Sequence, residues 1–407
     1  MSHERDPAWK GASVDAAQSL DPGALMAEAE RLTGLADWGG DDFRWPFERL
    51  ASAIRDQAQL SDIGRVRARY WLLHRLCQRL KLFDDRKRHP AIADQRVERP
   101  IFVTGLPRAG TTYTHALLGV DPAHVAPALW QWMSPSPPPN LPGVDHSNAI
   151  RDTERFIEVL GWNNPAILAT HDLHARGVEE CQFGFELSFV TMEFTGSFQI
   201  PGYLEVLAAG FGPAYRIHRK VLQAMQIGAE GRRWVLKAPE HVTHLEALFE
   251  EYPDAFIVQN HRDPAKVMAS LLSVVANLQS QFTERAMKVD RNMALHFMSE
   301  YARSLAHVVQ MRSDPAMNAR FVDIHYLDLE RRPLETMRRI YEHAQAPLSD
   351  AAVAAMRGWI ETNRKGKHGK HRYRLADYGL TQEEVRAAFA SYLRAFDIET
   401  ESDGNER

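Results

Sequence analysis

The chain has 407 residues, 44% hydrophobic and 25% charged, with 49 Lys and Arg against 53 Asp and Glu for a net charge of −4. This balance argues against wholesale disorder and against a protein built to coat nucleic acid; the two cysteines, Cys77 and Cys181, exclude a disulfide framework and a thiolate-rich zinc site. The first residues lack the apolar core of a signal peptide and no run approaches the roughly 20 apolar residues of a membrane span, so the expectation is a soluble, cytoplasmic enzyme.

Residues 1 to 20 read as a loose tail. From Pro22 to Leu82 the apolar residues recur at helical spacing, first through Leu25, Met26, Ala29 and Leu32, then along a stripe of Val66, Tyr70, Leu73, Leu76 and Leu80. Asp21-Pro22 suits a helix start. This region, 1–99, is expected to be a helical accessory layer. At Pro100 the pattern changes: Ile101–Thr104, Trp234–Leu236, Ala255–Val258 and Arg320–Ile324 are short β-branched or aromatic runs. Helical patterns follow them, from Tyr113 to Leu118 and over 243–251, 265–278 and 334–345, and a long helix is expected over 290–311. Strand-then-helix alternation predicts an α/β fold, a central parallel sheet with helices on both faces, over 100–400, with 401–407 as a tail. Ser134 to Pro142 is proline-rich and reads as a stiff connection.

The loop after the first run carries the most information. Gly105-Leu-Pro-Arg108-Ala109-Gly110-Thr111-Thr112 links a strand to a helix, where glycines and a helix start turn backbone amides toward an anion. The spacing resembles a Walker P-loop, but Thr111 stands where the lysine belongs, and the cation sits inside the loop at Arg108. The missing lysine speaks against ATP or GTP.

Pro100 to Thr112 closely resembles the 5′-phosphosulfate loop of sulfotransferases that use 3′-phosphoadenosine 5′-phosphosulfate (PAPS), in the Arg form of tyrosylprotein-type enzymes and a broad bacterial group. The resemblance implies a P-loop-like three-layer fold, transfer of a sulfonate to a hydroxyl or amine, and no metal. It implies that Arg108, Ala109, Gly110, Thr111 and Thr112 hold the 5′-phosphosulfate and that Arg108 also neutralises charge during transfer. His261-Arg262-Asp263-Pro264 and Ser270 resemble the family's 3′-phosphate segment, the separation of Arg262 and Ser270 included, although Lys266 stands where Asp is common; without the family, Asp263-Pro264 is only a capped helix start. Arg364-Lys365-Gly366 resembles the loop that closes over the same phosphate, and opens a basic run through Arg374 that otherwise reads as a solvated face or a nucleic-acid patch.

Lys237, in Leu236-Lys-Ala-Pro-Glu-His241, lies at a strand end beside the expected crevice and resembles the family's transition-state lysine. Glu179-Glu180 resembles the region that supplies the catalytic base in tyrosylprotein-type members, with either residue eligible, and His241 is the rival base. His241 and His244 also have metal-ligand spacing but lack a third ligand candidate. Tyr326 is a nucleotide-contact or core candidate. The aromatic residues Trp130, Trp132, Trp162, Phe183, Phe185, Phe189, Phe194 and Phe198 are expected mostly in the core, with some lining the acceptor pocket. The acceptor class stays open among small molecules, carbohydrates and peptides, with no nucleic acid partner expected. The alternatives are a P-loop nucleotide kinase, which lacks its lysine and a clear Walker B aspartate here, and a non-catalytic protein that holds adenosine 3′,5′-bisphosphate.

Overall fold

The computed structural model describes residues 19–163, 173–283, 289–363 and 374–401. Its centre is a parallel sheet of five strands: β1 (Ile101–Gly105), β2 (His124–Val125), β3 (Arg233–Lys237), β4 (Phe256–His261) and β5 (Phe321–His325), in the order β2-β3-β1-β4-β5. β1 lies between β3 and β4 with Val103 opposite Lys237 and Gly105 opposite Asn260, and β4 continues to β5 with His261 opposite His325. In a parallel sheet every strand ends on the same edge, so Gly105, Lys237, His261 and His325 share it.

Alternation along β1 feeds two cores. Ile101 and Val103 face one layer with Val235, Val258, Leu117, Leu118 and Met337, while Phe102 faces the other with Leu236, Ile257 and the helices Gly212–Gln226, Leu245–Glu251, Pro264–Gln279 and Arg291–Met311. The sheet is thus covered on both faces, as strand-helix alternation predicts. The strands and helices read from the sequence occur within a few residues of their expected bounds. β2 was not expected, and neither were the helices Ser147–Asn163, Gly212–Gln226 and Asp350–Thr362.

Three helices precede the sheet: Pro22–Thr33, Arg44–Gln57 and Asp62–Arg88. Asp21 caps the first, its carboxylate accepting from Ala24 N at 2.8 Å. The stripe read along the third is displaced. Tyr70 is 56% exposed, and the buried face runs through Ala68, Leu72, Arg75, Leu76, Arg79 and Leu80. Two arginines can take core positions because a charge partner or backbone carbonyls meet them there. Arg75 pairs with Glu186 at 2.5 Å, and Arg79 donates to the carbonyls of Trp38 and Leu187, each at 2.9 Å. Phe47 packs on Phe189 with ring centroids 4.7 Å apart, so these helices share one core with the α/β region. No described helix is long and apolar enough to cross a membrane.

Candidate active site

β1 ends in a tight loop whose backbone only certain residues allow. Gly105 has φ +137°, and a Cβ there would sit 2.2 Å from the carbonyl oxygen of Asn260. Gly110 has φ +89° and caps the helix Thr111–Gly119 without a side chain. First-turn amides of an α-helix have no acceptor within the helix, and here they open at the end of β1 together with the positive end of the helix dipole. That geometry suits an anion. Arg108 is exposed at φ +67°, a left-handed conformation that costs a non-glycine residue about 1 kcal/mol or more. Asn260 braces the loop from the end of β4, donating through Nδ2 to the carbonyl of Ala109 at 3.3 Å and to Thr114 Oγ1 at 3.0 Å.

Lys237 ends β3 beside this loop. It is 1% exposed, donates to Thr112 Oγ1 at 3.3 Å and forms an ion pair with Glu180. The glutamates reach it because segment 177–181 is stitched in from both sides. Leu129 N donates to Gly177 O at 2.9 Å, Glu179 N to Pro127 O at 2.9 Å, and Cys181 N to Lys237 O at 2.8 Å. Adjacent side chains then point apart: Glu180 meets Lys237, whereas Glu179 turns back and accepts from Glu180 N at 2.9 Å.

His241 lies elsewhere. It is fully buried between Phe102 and Phe185, with ring centroids 4.9 and 5.6 Å away, and Tyr215 Oη bonds its Nδ1 at 2.8 Å. Burial first, then neighbouring histidines, holds its pKa well below the ordinary value. His244 stacks on Phe211.

Beyond β4, Arg262 and Asp263 lead into the helix Pro264–Gln279, where Asp263 is the cap and accepts from Ala265 N at 3.0 Å. Ser270 lies seven residues after Asp263, two turns along the helix, and is partly exposed. The Arg262 guanidinium lies 3.8 Å over the Tyr326 ring, and its Nη1 donates to the carbonyl of Arg108 at 3.0 Å. Tyr326 in turn comes close to Gly110, where an added Cβ would lie 3.2 Å from the ring. The edge of the sheet therefore brings together Arg108, Ala109, Gly110, Thr111 and Thr112 with Lys237, Glu180, Arg262 and Tyr326. Arg364, Lys365 and Gly366 lie outside the described residues.

The sulfotransferase family profile matches residues 100–350, more than half of the chain. The chain belongs to the sulfotransferase family. The sulfotransferase STF1 from Mycobacterium tuberculosis H37Rv is 33% identical with a TM-score of 0.77 over 90% of this chain and 98% of that one. The sulfotransferase STF9 from Mycobacterium avium is 28% identical with a TM-score of 0.84 over 95% and 99%. Among curated relatives, the omega-hydroxy-beta-dihydromenaquinone-9 sulfotransferase Stf3 of Mycobacterium bovis and that of Mycobacterium tuberculosis are 26% identical over 273 residues, covering 64% of this chain and 66% of theirs. The chain thus spans slightly under two thirds of those relatives' length.

In this sulfotransferase Asn260 carries no functional signal in the sequence, where it looks like the polar end of a strand, and neither do Glu401 and Arg386, which reach Arg262 and Asp263 from beyond the last strand. Glu401 was assigned to the tail, yet its carboxylate pairs with Arg262. The aromatic residues expected mostly in the core are largely found there: Trp130, Trp132, Phe185, Phe189, Phe194 and Phe198 are buried, and Phe183 is partly exposed. The side chain of Trp162 lies outside the described residues.

Proposed function

We propose that this chain transfers the sulfonate of PAPS to the hydroxyl of a small-molecule acceptor. The observation that carries the reading is the meeting of Lys237 with both Thr112, on the anion loop, and Glu180. Transfer forms a bond from the acceptor oxygen to sulfur and breaks the bond from sulfur to the phosphate oxygen. The acceptor proton must leave as negative charge gathers on the bridging oxygen. Glu180 takes the proton. Lys237 and Arg108 offset the charge on the departing phosphate, with the loop amides of 109–112 holding the phosphosulfate. Charged donors in a site closed to water stabilise a transition state without a metal. Arg262 and Ser270 take the 3′-phosphate, and Tyr326 supports the guanidinium from its ring face. The base is not His241, whose ring is enclosed by Phe102, Phe185 and Tyr215. The acceptor class follows the relatives named for a hydroxylated menaquinone: an apolar molecule that presents an alcohol.

Calorimetric titration tests the donor reading directly. Adenosine 3′,5′-bisphosphate is expected to bind at least about tenfold more tightly than ATP with magnesium, because each well-placed charge-assisted contact contributes on this scale. Arg262→Ala should weaken the bisphosphate more than 5′-AMP. Arg108→Ala should lower sulfonate transfer to an alcohol panel by about 10²–10³ while the fold survives. Preferential ATP binding would point to a kinase instead, and tight bisphosphate binding without any sulfated product would point to a non-catalytic protein.

A further inference from the structure

Arg262, to which the reading above assigns the 3′-phosphate, already holds an anion of the protein's own. Its Nε and Nη2 donate to the two carboxylate oxygens of Glu401 at 2.8 and 3.1 Å. That edge of the guanidinium is the fork that binds carboxylates and phosphates bidentately. The remaining nitrogen is committed to the Arg108 carbonyl, and one face of the plane to Tyr326.

Glu401 is delivered there by its backbone. Its N–H donates to Asp263 Oδ2 at 2.9 Å, and its carbonyl accepts from Arg386 Nη2 at 3.1 Å. Arg386 also donates to Asp263 Oδ2 at 2.7 Å, and the Asp263 carboxylate is fully buried. These bonds pin the main chain of residue 401 beside the arginine whatever its side chain does. The side chains of Arg262 and Glu401 keep 21% and 17% of their surface open, so the carboxylate can be exchanged without unfolding anything.

We infer that Glu401 is an internal competitor for the donor's 3′-phosphate: its carboxylate closes the Arg262 fork until a 3′-phosphorylated nucleotide displaces it. This inference rests on the reading of Arg262 given above. A phosphate monoester and a carboxylate cannot share one fork, and their like charges repel at contact. A dianionic phosphate with three acceptor oxygens displaces the monoanion. A ribose 3′-hydroxyl carries no charge and does not. Glu401 thereby lowers the affinity for 3′-phosphorylated nucleotides alone, since nucleotides lacking the 3′-phosphate leave the fork closed and meet no competition there.

The test is calorimetry on the full chain with adenosine 3′,5′-bisphosphate and with 5′-AMP, for the wild type, Glu401→Gln and Glu401→Asp. Removing or shortening the competitor is expected to tighten bisphosphate binding about two- to fivefold, the scale of a partly exposed ion pair, and to leave 5′-AMP unchanged. Both variants keep the backbone anchors, and Glu401→Asp also keeps the charge. Unchanged bisphosphate affinity in both variants would overturn the inference, and so would weaker binding, which would make Glu401 a support for Arg262. Arg262→Ala in the same assay separates the two levels of argument. If it leaves the ratio of bisphosphate to 5′-AMP affinity untouched, the 3′-phosphate reading itself fails; if it lowers that ratio while the Glu401 variants tighten nothing, only the competitor is wrong.

Discussion

Glu180 and Lys237 face each other almost sealed from water, and the lysine also reaches the hydroxyl of Thr112. In the proposed reaction this pair supplies a cation beside the anion loop and a carboxylate to receive the acceptor's proton. Substituting Glu180→Gln keeps the shape and deletes the charge. Turnover is then expected to fall by at least about 10²-fold, the usual worth of a positioned base. Bisphosphate binding should stay as tight or tighten, because Lys237 loses its competing partner. Glu179→Gln should cost much less turnover, since that carboxylate turns back to accept from Glu180 N while Glu180 is the one that pairs with Lys237. Measured turnover near wild type in Glu180→Gln would remove it from the mechanism. The sequence leaves Glu179, Glu180 and the rival His241 as candidate bases. Which glutamate meets the lysine is decided by how 177–181 is stitched between Pro127 and the end of β3, a long-range pairing with no local signature. Arg75 and Arg79 escaped the hydrophobic pattern for a related reason: each is buried only because distant groups, Glu186 and the Leu187 carbonyl, meet it.

At the level of elements, the strand–loop–helix unit of β1 was legible because glycines, a β-branched run and a capping position coincide within a dozen residues. β2, two residues long, carries no periodic signal, and the helices 147–163 and 212–226 lie in stretches whose aromatic content reads as pocket or core. What the local pattern hides is that the anion loop is not self-supporting. Asn260, at the end of the neighbouring strand, joins the Ala109 carbonyl to the Thr114 hydroxyl and so ties the loop to its helix. Asn260→Ala removes two hydrogen bonds from a buried position and should cost about 1–3 kcal/mol of stability, measured by chemical denaturation. Because the loop is proposed to receive the 5′ group, bisphosphate and 5′-AMP binding should weaken by the same factor. This differs from Arg262→Ala, which is expected to separate the two ligands. A selective loss of the bisphosphate in Asn260→Ala would mean that the asparagine acts on Arg262 rather than on the loop.

For the whole molecule, the helices that precede the sheet share a core with it, and burial shifts many titratable groups of the chain toward their neutral forms. Among the described residues, burial first of all lowers the pKa of His74, His115, His124, His146, His218, His241, His244 and His261, with His115 and His218 each brought down to about 3. Burial likewise raises the carboxyls of Asp85, Glu186, Glu193 and Glu240, the last to about 8. The two sets act in opposite directions on stability. Below the ordinary histidine value of 6.5 the unfolded chain binds protons that the folded histidines refuse, so stability falls with acidity. Between 6.5 and 8 the histidines are neutral in both states, while folded Glu240 still keeps a proton that the unfolded carboxyl, with its ordinary value of 4.5, has lost; there stability falls as pH rises. Stability should therefore peak near pH 6.5, with the acid side the steeper because lowered histidines outnumber raised carboxyls eight to four. Each unbalanced proton contributes about 1.4 kcal/mol per pH unit. Thermal unfolding followed across this range at fixed ionic strength checks the sign on both limbs. A midpoint that rises as pH falls from 6.5 toward 5 would show that these histidines carry protons in the folded chain, and the buried core around His241 would then have to admit charge.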